Sequence, residues 1–206
     1  GGELMDTYSV EEYIGYAMDM DSSGNFYALC DQDYVCKYDL SGGFVTSWGG
    51  LGNLDGQMND AVGLEVVREG AVDRVYVTDL DNHRVQVFDT SGNFVAKWGG
   101  YDPLDDYSGP GKFDKPRGIA SDDGGYIYVA EGGYLSSGEG NKRVQVFTSG
   151  GVFVDAVGLA SFHDVGVDGF GNSYVGDDTC SRILKFDSEG MYEKGVVVDN
   201  LSGFGV

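Results

Sequence analysis

Residues 73–100 read DRVYVTDLDNHRVQVFDTSGNFVAKWGG, and related stretches begin at Gly24, Gly125 and Gly171. Each copy has a tyrosine in its first apolar run, an aromatic residue near the end of the second run, and a glycine turn before the third. The equivalent tyrosines are Tyr27, Tyr76, Tyr128 and Tyr174, at spacings of 49, 52 and 46 residues (76−27, 128−76, 174−128). Because one more short apolar run precedes each tyrosine, each period predicts four strands.

The turns between these runs agree with tightly connected strands. Asp89-Thr-Ser-Gly-Asn93 places aspartate at the start of a turn and glycine where φ must be positive. Four strands in a period of this length are typical of a β-propeller blade. The sequence therefore predicts an all-β protein, a β-propeller of four-stranded antiparallel blades. We expect the blades at residues 15–50, 62–100, 117–158 and 163–198, with 199–206 as the first strand of a next blade.

The second copy resembles an NHL repeat. Its Tyr76-Val-Thr-Asp79 and Asp81-Asn-His-Arg-Val-Gln-Val-Phe-Asp89 runs are similar to that consensus, including the Asn-His pair. The third copy keeps Arg143-Val-Gln-Val-Phe147. Since NHL propellers usually have six blades, the resemblance implies that these four repeats are part of a larger ring or close with another chain.

The charge of the chain is strongly negative. Thirteen Lys and Arg residues oppose 34 Asp and Glu residues, for a formal net charge of −21. Such a field repels phosphate backbones and anionic lipid. We therefore expect no nucleic-acid partner, although some NHL domains bind RNA, and no membrane insertion, because no apolar run is long enough to span a bilayer.

An acidic residue near the end of one strand recurs with an arginine that begins the next. The sequence predicts three structural ion pairs by this position: Asp79–Arg84, Glu131–Arg143 and Asp177–Arg182. In the first copy both charges are absent together, replaced by Cys30 and Tyr34. Because the two charges are present together or absent together, we favour an ion pair that stabilises the hairpin. A ligand site is the alternative.

Cys30 and Cys36 flank a short turn with equal parity, so both side chains would lie on one face of a hairpin. They form either a diagonal cross-strand disulfide or two buried free thiols. A disulfide fits an oxidising compartment. On this basis we expect an extracellular or cell-surface location.

Two aromatic residues, Trp48 and Trp98, hold the same position in successive copies. A recurrent position favours packing between blades, and a ligand-stacking platform is the alternative.

Calcium is the metal ion that the sequence allows most readily. Asp19 and Asp21 offer spaced oxygen donors, and so do Asp79 and Asp81, but neither segment has the glutamate that completes an EF-hand loop. Ordinary Asp-rich turns are the favoured interpretation of both, and no other cofactor is predicted.

The chain has two histidines, His83 and His163, too few for a zinc centre with three histidines. Among NHL-like enzymes, peptidyl-hydroxyglycine lyases use zinc-binding histidines in alternate blades, and here Val62 lies two blades before His163. No catalytic residue is therefore assigned. A metal-dependent enzyme at the channel mouth is an alternative that needs ligands from elsewhere.

Long connections are expected on one face of the propeller. In an antiparallel blade, the loop before strand one and the loop between strands two and three lie on the same face of the propeller. The long connections of this sequence are all loops of these two kinds: 49–62, 99–117, 132–142 and 158–163. Length variation on one face of a rigid scaffold favours recognition there, although neutral variation is the alternative. The candidate binding residues are His83, Arg117 and His163. The predicted function is a non-catalytic protein-interaction or structural scaffold module, whose partners are other proteins or neighbouring chains of the same assembly.

Overall fold

The computed structural model describes residues 14–30, 33–102, 104, 106–132, 141–158, 162–177, 182–187 and 192–197. The first two blades contain the strands β1 (Ile14–Met20), β2 (Phe26–Cys30), β3 (Tyr34–Tyr38), β4 (Phe44–Gly49), β5 (Ala61–Glu69), β6 (Val72–Asp79), β7 (Arg84–Asp89) and β8 (Phe94–Gly99). The other two contain β9 (Pro116–Ser121), β10 (Tyr126–Glu131), β11 (Arg143–Thr148), β12 (Phe153–Gly158), β13 (Phe162–Val167), β14 (Ser173–Asp177), β15 (Arg182–Phe186) and β16 (Tyr192–Val197). One short 3₁₀ helix, Leu80–Asn82, lies between β6 and β7.

The strands form four separate sheets, each of four strands in sequence order, and every neighbouring pair is antiparallel. The predicted all-β fold of four-stranded propeller blades is thus confirmed. The four sheets span residues 14–49, 61–99, 116–158 and 162–197. Residues 199–206, expected to begin a next blade, lie outside the described residues. Within the described part of the chain, no helix has the length and apolar character to cross a membrane.

Aspartate side chains organise the hairpin turns. In the β7–β8 turn, Asp89 Oδ1 accepts hydrogen bonds from the backbone N–H groups of Ser91 and Asn93, both at 2.9 Å. Gly92 has φ = +87°, which residues with a Cβ rarely adopt. Asp21, Asp39 and Asp168 accept equivalent hydrogen bonds in other turns. The need for these hydrogen bonds explains why aspartate recurs at the turns.

Three clusters of buried apolar residues lie between successive blades, and a fourth, of Cys30, Cys36 and Tyr38, lies within the first blade. The cluster between the first two blades includes Leu29 and Val77, the next includes Val85 and Ile127, and the last includes Val144 and Leu184. Both faces of an inner blade are therefore apolar, as the strand sequences indicate.

Equivalent tyrosines show which blade faces are covered. Tyr27, Tyr76 and Tyr128 are 0%, 0% and 7% exposed, because the next blade packs over each of them. Tyr174, in the fourth blade, is 37% exposed. Extensive contacts between described strands join the first blade to the second, the second to the third and the third to the fourth. The four blades are consistent with part of a propeller ring.

The two tryptophans pack against glycines of the following blade. A Cβ added to Gly92 would lie 2.6 Å from the Trp48 ring, and one added to Gly151 would lie 2.7 Å from the Trp98 ring. Trp48 also contacts Phe88, and Trp98 contacts Phe147, with ring centroids 6.0 and 5.9 Å apart. Packing between blades, the favoured interpretation of these residues, is confirmed.

Candidate interaction face

Two long connections between blades dominate one face of the protein. The first linker, residues 50–60, joins β4 to β5, and the second linker, residues 100–115, joins β8 to β9. The backbone of the first linker folds back on itself, since Gly52 N–H donates to Met58 O at 2.8 Å and Met58 N–H donates to Gly50 O at 2.9 Å. Both linkers pass close to the start of the third strand of the blade that follows.

Arg84 holds the first linker by its backbone carbonyls. Its Nε donates to Asp79 Oδ2 at 2.6 Å, and its side chain is 4% exposed. The two terminal nitrogens donate to three linker carbonyls: Asn53 O at 3.1 Å, Leu54 O at 3.0 Å and Gln57 O at 2.7 Å. The ion pair therefore does more than brace its own hairpin, because it fixes the linker that leads into its blade.

Gln86 completes this arrangement two residues later on the same strand. Its Nε2 donates to Gln57 O at 2.6 Å and to Asp79 Oδ2 at 3.0 Å, while its Oε1 accepts the Gly56 N–H at 3.0 Å. The other oxygen of Asp79 accepts the Asn59 N–H at 2.7 Å. We call the set Asp79, Arg84 and Gln86 the linker clamp of the second blade.

The third blade repeats the clamp on the second linker. Arg143 Nε donates to Glu131 Oε1 at 2.5 Å, and its terminal nitrogens donate to linker carbonyls. Those carbonyls belong to Tyr107, Ser108, Gly109 and Lys112. Gln145 donates to Lys112 O at 2.8 Å and accepts the Gly111 N–H at 2.9 Å.

Two of the three predicted ion pairs are thus formed. Asp177 and Arg182 are opposite each other in the strand register, but their side chains lie outside the described residues. Burial raises the pKa of Asp79 and of Glu131, and the hydrogen bonds that each carboxylate accepts oppose that effect.

The two glutamines were not predicted as functional or structural residues, although the sequence carries a signal for them. An Arg-x-Gln spacing occurs in the two copies that follow a long linker, at Arg84 and at Arg143. In the fourth copy the connection is short and Leu184 stands at the glutamine position. A buried glutamine is therefore used where a linker backbone must be held.

His83 lies on this face, as predicted, but its ring is used within the protein. It has φ = +55° at the end of the 3₁₀ helix, and its Nδ1 accepts the Lys115 N–H at 3.3 Å. The imidazole stacks on Tyr107, with ring centroids 4.1 Å apart and an interplanar angle of 8°. Asp33 occupies the equivalent place in the first blade, where its Oδ1 accepts the Ala61 N–H at 2.9 Å. Both side chains connect one blade to the next.

Arg117 lies in a trough of about 760 Å³ along the first strands of the blades. The lining includes two acidic residues, Asp60 and Glu65. Burial raises the pKa of Asp60, the charges of Asp81 and Asp33 add to that effect, and Arg117 opposes it. His163 belongs to β13, and its side chain lies outside the described residues. The described residues therefore place two of the three candidate binding residues, His83 on the linker face and Arg117 in the trough.

The calcium candidates all have partners within the protein. Asp21 accepts hydrogen bonds from Ser23, Asn25 and Tyr27, the last at 2.8 Å. Burial acts to raise the pKa of Asp21, but these hydrogen bonds outweigh it and hold the pKa below its usual value. The hydrogen bonds of the turn therefore explain why an aspartate stands at this position.

The other calcium candidates join blades or linkers. Asp19 Oδ2 accepts the Val66 N–H of the next blade at 2.7 Å, Asp79 belongs to the clamp, and Asp81 lies 4.0 Å from Lys115 Nζ. Among the described residues, no group of three metal-ligating side chains is assembled.

A disulfide joins Cys30 to Cys36, with a Cα–Cα distance of 5.9 Å, so the free-thiol alternative is wrong. The bond is diagonal, because Cys30 pairs with Tyr34 in the register and Cys36 pairs with Ala28. These cysteines stand where the second blade has Asp79 and Gln86. In the first blade a covalent bond thus takes the place of a polar contact.

The exposed apolar residues on this face occur in pairs. The first linker exposes Leu51 and Leu54, which are 70% and 67% exposed. At the equivalent positions the second linker exposes Tyr101 and Leu104, which are 76% and 85% exposed. No sequence argument singled out these four residues, because isolated apolar residues in polar loops have no periodic pattern.

Comparison with known proteins identifies the fold but no family. No protein-family model and no curated protein matches this sequence. A streptogramin B lyase structure has a TM-score of 0.66 at 13% identity, over 95% of this chain and 58% of the lyase chain. A catalytically inactive virginiamycin B lyase from Staphylococcus aureus, solved with quinupristin, has a TM-score of 0.65 at 12% identity, over 93% of this chain and 60% of that chain.

The WD40 repeats of RRP9 are also similar, with a TM-score of 0.65 at 10% identity, over 90% of this chain and 52% of that chain. The chain therefore spans between half and three fifths of the length of these three proteins. Identities this low show a shared β-propeller fold, and that fold carries many functions.

Proposed function

We propose that this chain is a protein-interaction or structural scaffold module of an extracellular or cell-surface protein, and that it binds its partner through the face that carries the two linkers. The observation that supports this function most strongly is the linker clamp. Arg84 and Arg143, together with buried Gln and acidic side chains, hold the backbone of long loops whose outer side chains remain exposed. Loops held in one conformation lose little entropy on binding, which favours recognition.

The proposal includes a non-catalytic role and an NHL-like origin. His83 is engaged by Lys115 and Tyr107, and among the described residues no group of three metal-ligating side chains is assembled. The Asn-His-Arg-Val-Gln run that resembles the NHL consensus supplies Asn82 of the 3₁₀ helix and Arg84 and Gln86 of the clamp. The resemblance therefore rests on residues with a structural role in joining blades.

The location outside the cell is supported by the disulfide. Cys30 and Cys36 are 3% and 1% exposed, and structural disulfides persist in oxidising compartments. The test is alkylation of the protein isolated from its source, without reductant, followed by mass spectrometry of the peptide that contains both cysteines. An unalkylated, linked peptide is expected, and full alkylation at both residues would contradict an oxidising location.

The binding face can be tested with a photo-crosslinking amino acid placed in the full chain. The two positions are Asn53, on the first linker, and Ser91, on the β7–β8 turn at the opposite face, and both are exposed. After incubation with cell-surface and secreted proteins of the source organism, we expect specific adducts at Asn53 and few at Ser91. Equal adducts at the two positions would reject the linker face as the binding face.

A further inference from the structure

The four exposed residues Leu51, Leu54, Tyr101 and Leu104, here called the linker patch, differ from ordinary exposed apolar residues in how they are presented. They repeat at equivalent positions of two successive linkers. Arg84 donates to the Leu54 carbonyl of the first linker, and Arg143 donates to the Tyr107 carbonyl of the second. Side chains on a fixed backbone bind with a smaller entropic cost than side chains on a mobile loop.

A single turn of the second blade holds the two linkers side by side. Asn82 Nδ2 donates to Gly52 O of the first linker at 2.8 Å. The next residue, His83, stacks on Tyr107 of the second linker. One turn of the second blade therefore contacts both linkers, so the two linkers are neighbours on this face.

The charge of this surface limits the partner that it fits. The first linker contains two aspartates and no lysine or arginine, and the second contains four aspartates and two lysines. With a net charge of −21, two copies of this chain repel each other. A partner segment with apolar side chains flanked by lysine or arginine is complementary to both the apolar and the acidic character.

From these observations we infer that the linker patch binds a cationic amphipathic segment of a partner protein, with its apolar side chains on the four linker residues and its basic side chains towards the acidic linkers. This inference rests on the proposed function and names the partner class that the linker face takes. Burial of aromatic and leucine side chains at the centre would provide the affinity, and the charges would provide the orientation.

The test uses the full chain and an amphipathic helical peptide of leucine and lysine, with binding measured by fluorescence anisotropy at physiological ionic strength. Two variants remove the patch, Leu51→Ser with Leu54→Ser, and Tyr101→Ser with Leu104→Ser. The matched control, Val152→Ser with Phe170→Ser, removes residues that are 65% and 86% exposed in turns at the opposite face. Circular dichroism checks that all variants are folded.

We expect each patch variant to bind the peptide roughly tenfold more weakly, as for loss of interface anchors, and the control variant to bind like the wild type. Peptides with serine for leucine, or glutamate for lysine, are expected to bind much more weakly. Equal loss in the control variant, or equal binding by the serine peptide, would overturn the inference. So would binding to phosphatidylcholine vesicles that the patch variants lose, since the occupant would then be a membrane.

Failure of this inference can be told apart from failure of the proposed function. If no peptide binds but Asn53 still gives specific adducts with a native protein, the linker face binds a partner of different chemistry. If Asn53 gives no adducts either, the proposed function fails as well.

Discussion

Arg84 donates three hydrogen bonds to backbone carbonyls of the first linker. Its charge is almost fully buried, and Asp79 is the carboxylate that compensates it. Removal of one partner of a buried ion pair leaves an uncompensated charge, which costs much more than the loss of the pair itself. Single and double substitutions in the clamp should therefore change the free energy of unfolding by different amounts.

We expect Asp79→Ala to lower the free energy of unfolding by about 3–5 kcal/mol, because Arg84 and Gln86 lose their buried acceptor. The double variant Asp79→Leu with Arg84→Met should be less destabilised, since no buried charge remains. Urea denaturation followed by tryptophan fluorescence measures both. Lys97→Ala is the control, because its pair with Asp55 is half-exposed and worth under about 1 kcal/mol. If Asp79→Ala lowers the free energy of unfolding no more than Lys97→Ala does, the buried charge of Arg84 does not require Asp79 for its compensation.

The titration of Asp168 shows how strongly the hydrogen bonds of a turn stabilise the ionised carboxylate. Hydrogen bonds from the Asn172 side chain, with others from Tyr174 and the backbone, lower the pKa of Asp168 to about 2. Because the folded pKa lies below the unfolded value of about 3.9, the ionised turn stabilises the fold above that unfolded value. This stabilisation is lost as pH falls through the folded pKa.

We expect Asn172→Ala to raise the pKa of Asp168 towards its ordinary value and to reduce the acid dependence of stability below pH of about 4. Carbon-13 NMR titration of the carboxyl group measures the pKa directly. Asn93→Ala removes the equivalent amide from the second blade and should leave Asp168 unchanged. A wild-type midpoint close to 4 would contradict this account of the turn.

At the scale of elements, the contact between a tryptophan of one blade and a glycine of the next fixes how two sheets approach each other. Gly92 has φ = +87° and meets the Trp48 ring, whereas Gly70 has φ = +61° and has open space around its Cβ position. The two glycines share the left-handed backbone and differ in the neighbouring ring.

Gly70→Ala should cost about 1–2 kcal/mol through backbone strain alone. Gly92→Ala should cost roughly 1–3 kcal/mol more, because the new methyl group overlaps Trp48. In a Trp48→Ala background the two substitutions should cost about the same, which a double-mutant cycle by chemical denaturation can measure. Equal costs in the wild-type background would show that the Trp48 contact adapts without strain.

The elements also show what the sequence could and could not predict. Strands and turns repeat at a fixed period, so the blades and the Asp79–Arg84 pair were visible without a structure. Contacts between blades, such as His83 with Tyr107 and Asp33 with Ala61, join residues of different copies and leave no periodic pattern. For this reason the candidate binding residue His83 was placed on the correct face, but its structural role was not predicted.

For the molecule as a whole, each blade is stabilised mainly by its neighbours, as in other repeat proteins. The second and third blades have core clusters on both faces. In the fourth blade, Tyr174 and Ile183 are 37% and 40% exposed on the face away from the third. Stability should therefore vary along the chain rather than being uniform.

This arrangement predicts the order in which amide hydrogens exchange in the isolated chain. Amides of β6 and β7, in a blade packed on both faces, should exchange most slowly, and those of β14 and β15 should exchange earlier, because opening the fourth blade breaks one interface instead of two. Hydrogen exchange followed by mass spectrometry resolves the four blades separately. The variant Gly92→Ala provides a control, since it weakens the interface between the first two blades and should accelerate exchange in the first blade without changing the fourth. Exchange of all four blades at a single rate would mean that they open as one cooperative unit, in which case the exposed face of Tyr174 does not weaken its blade.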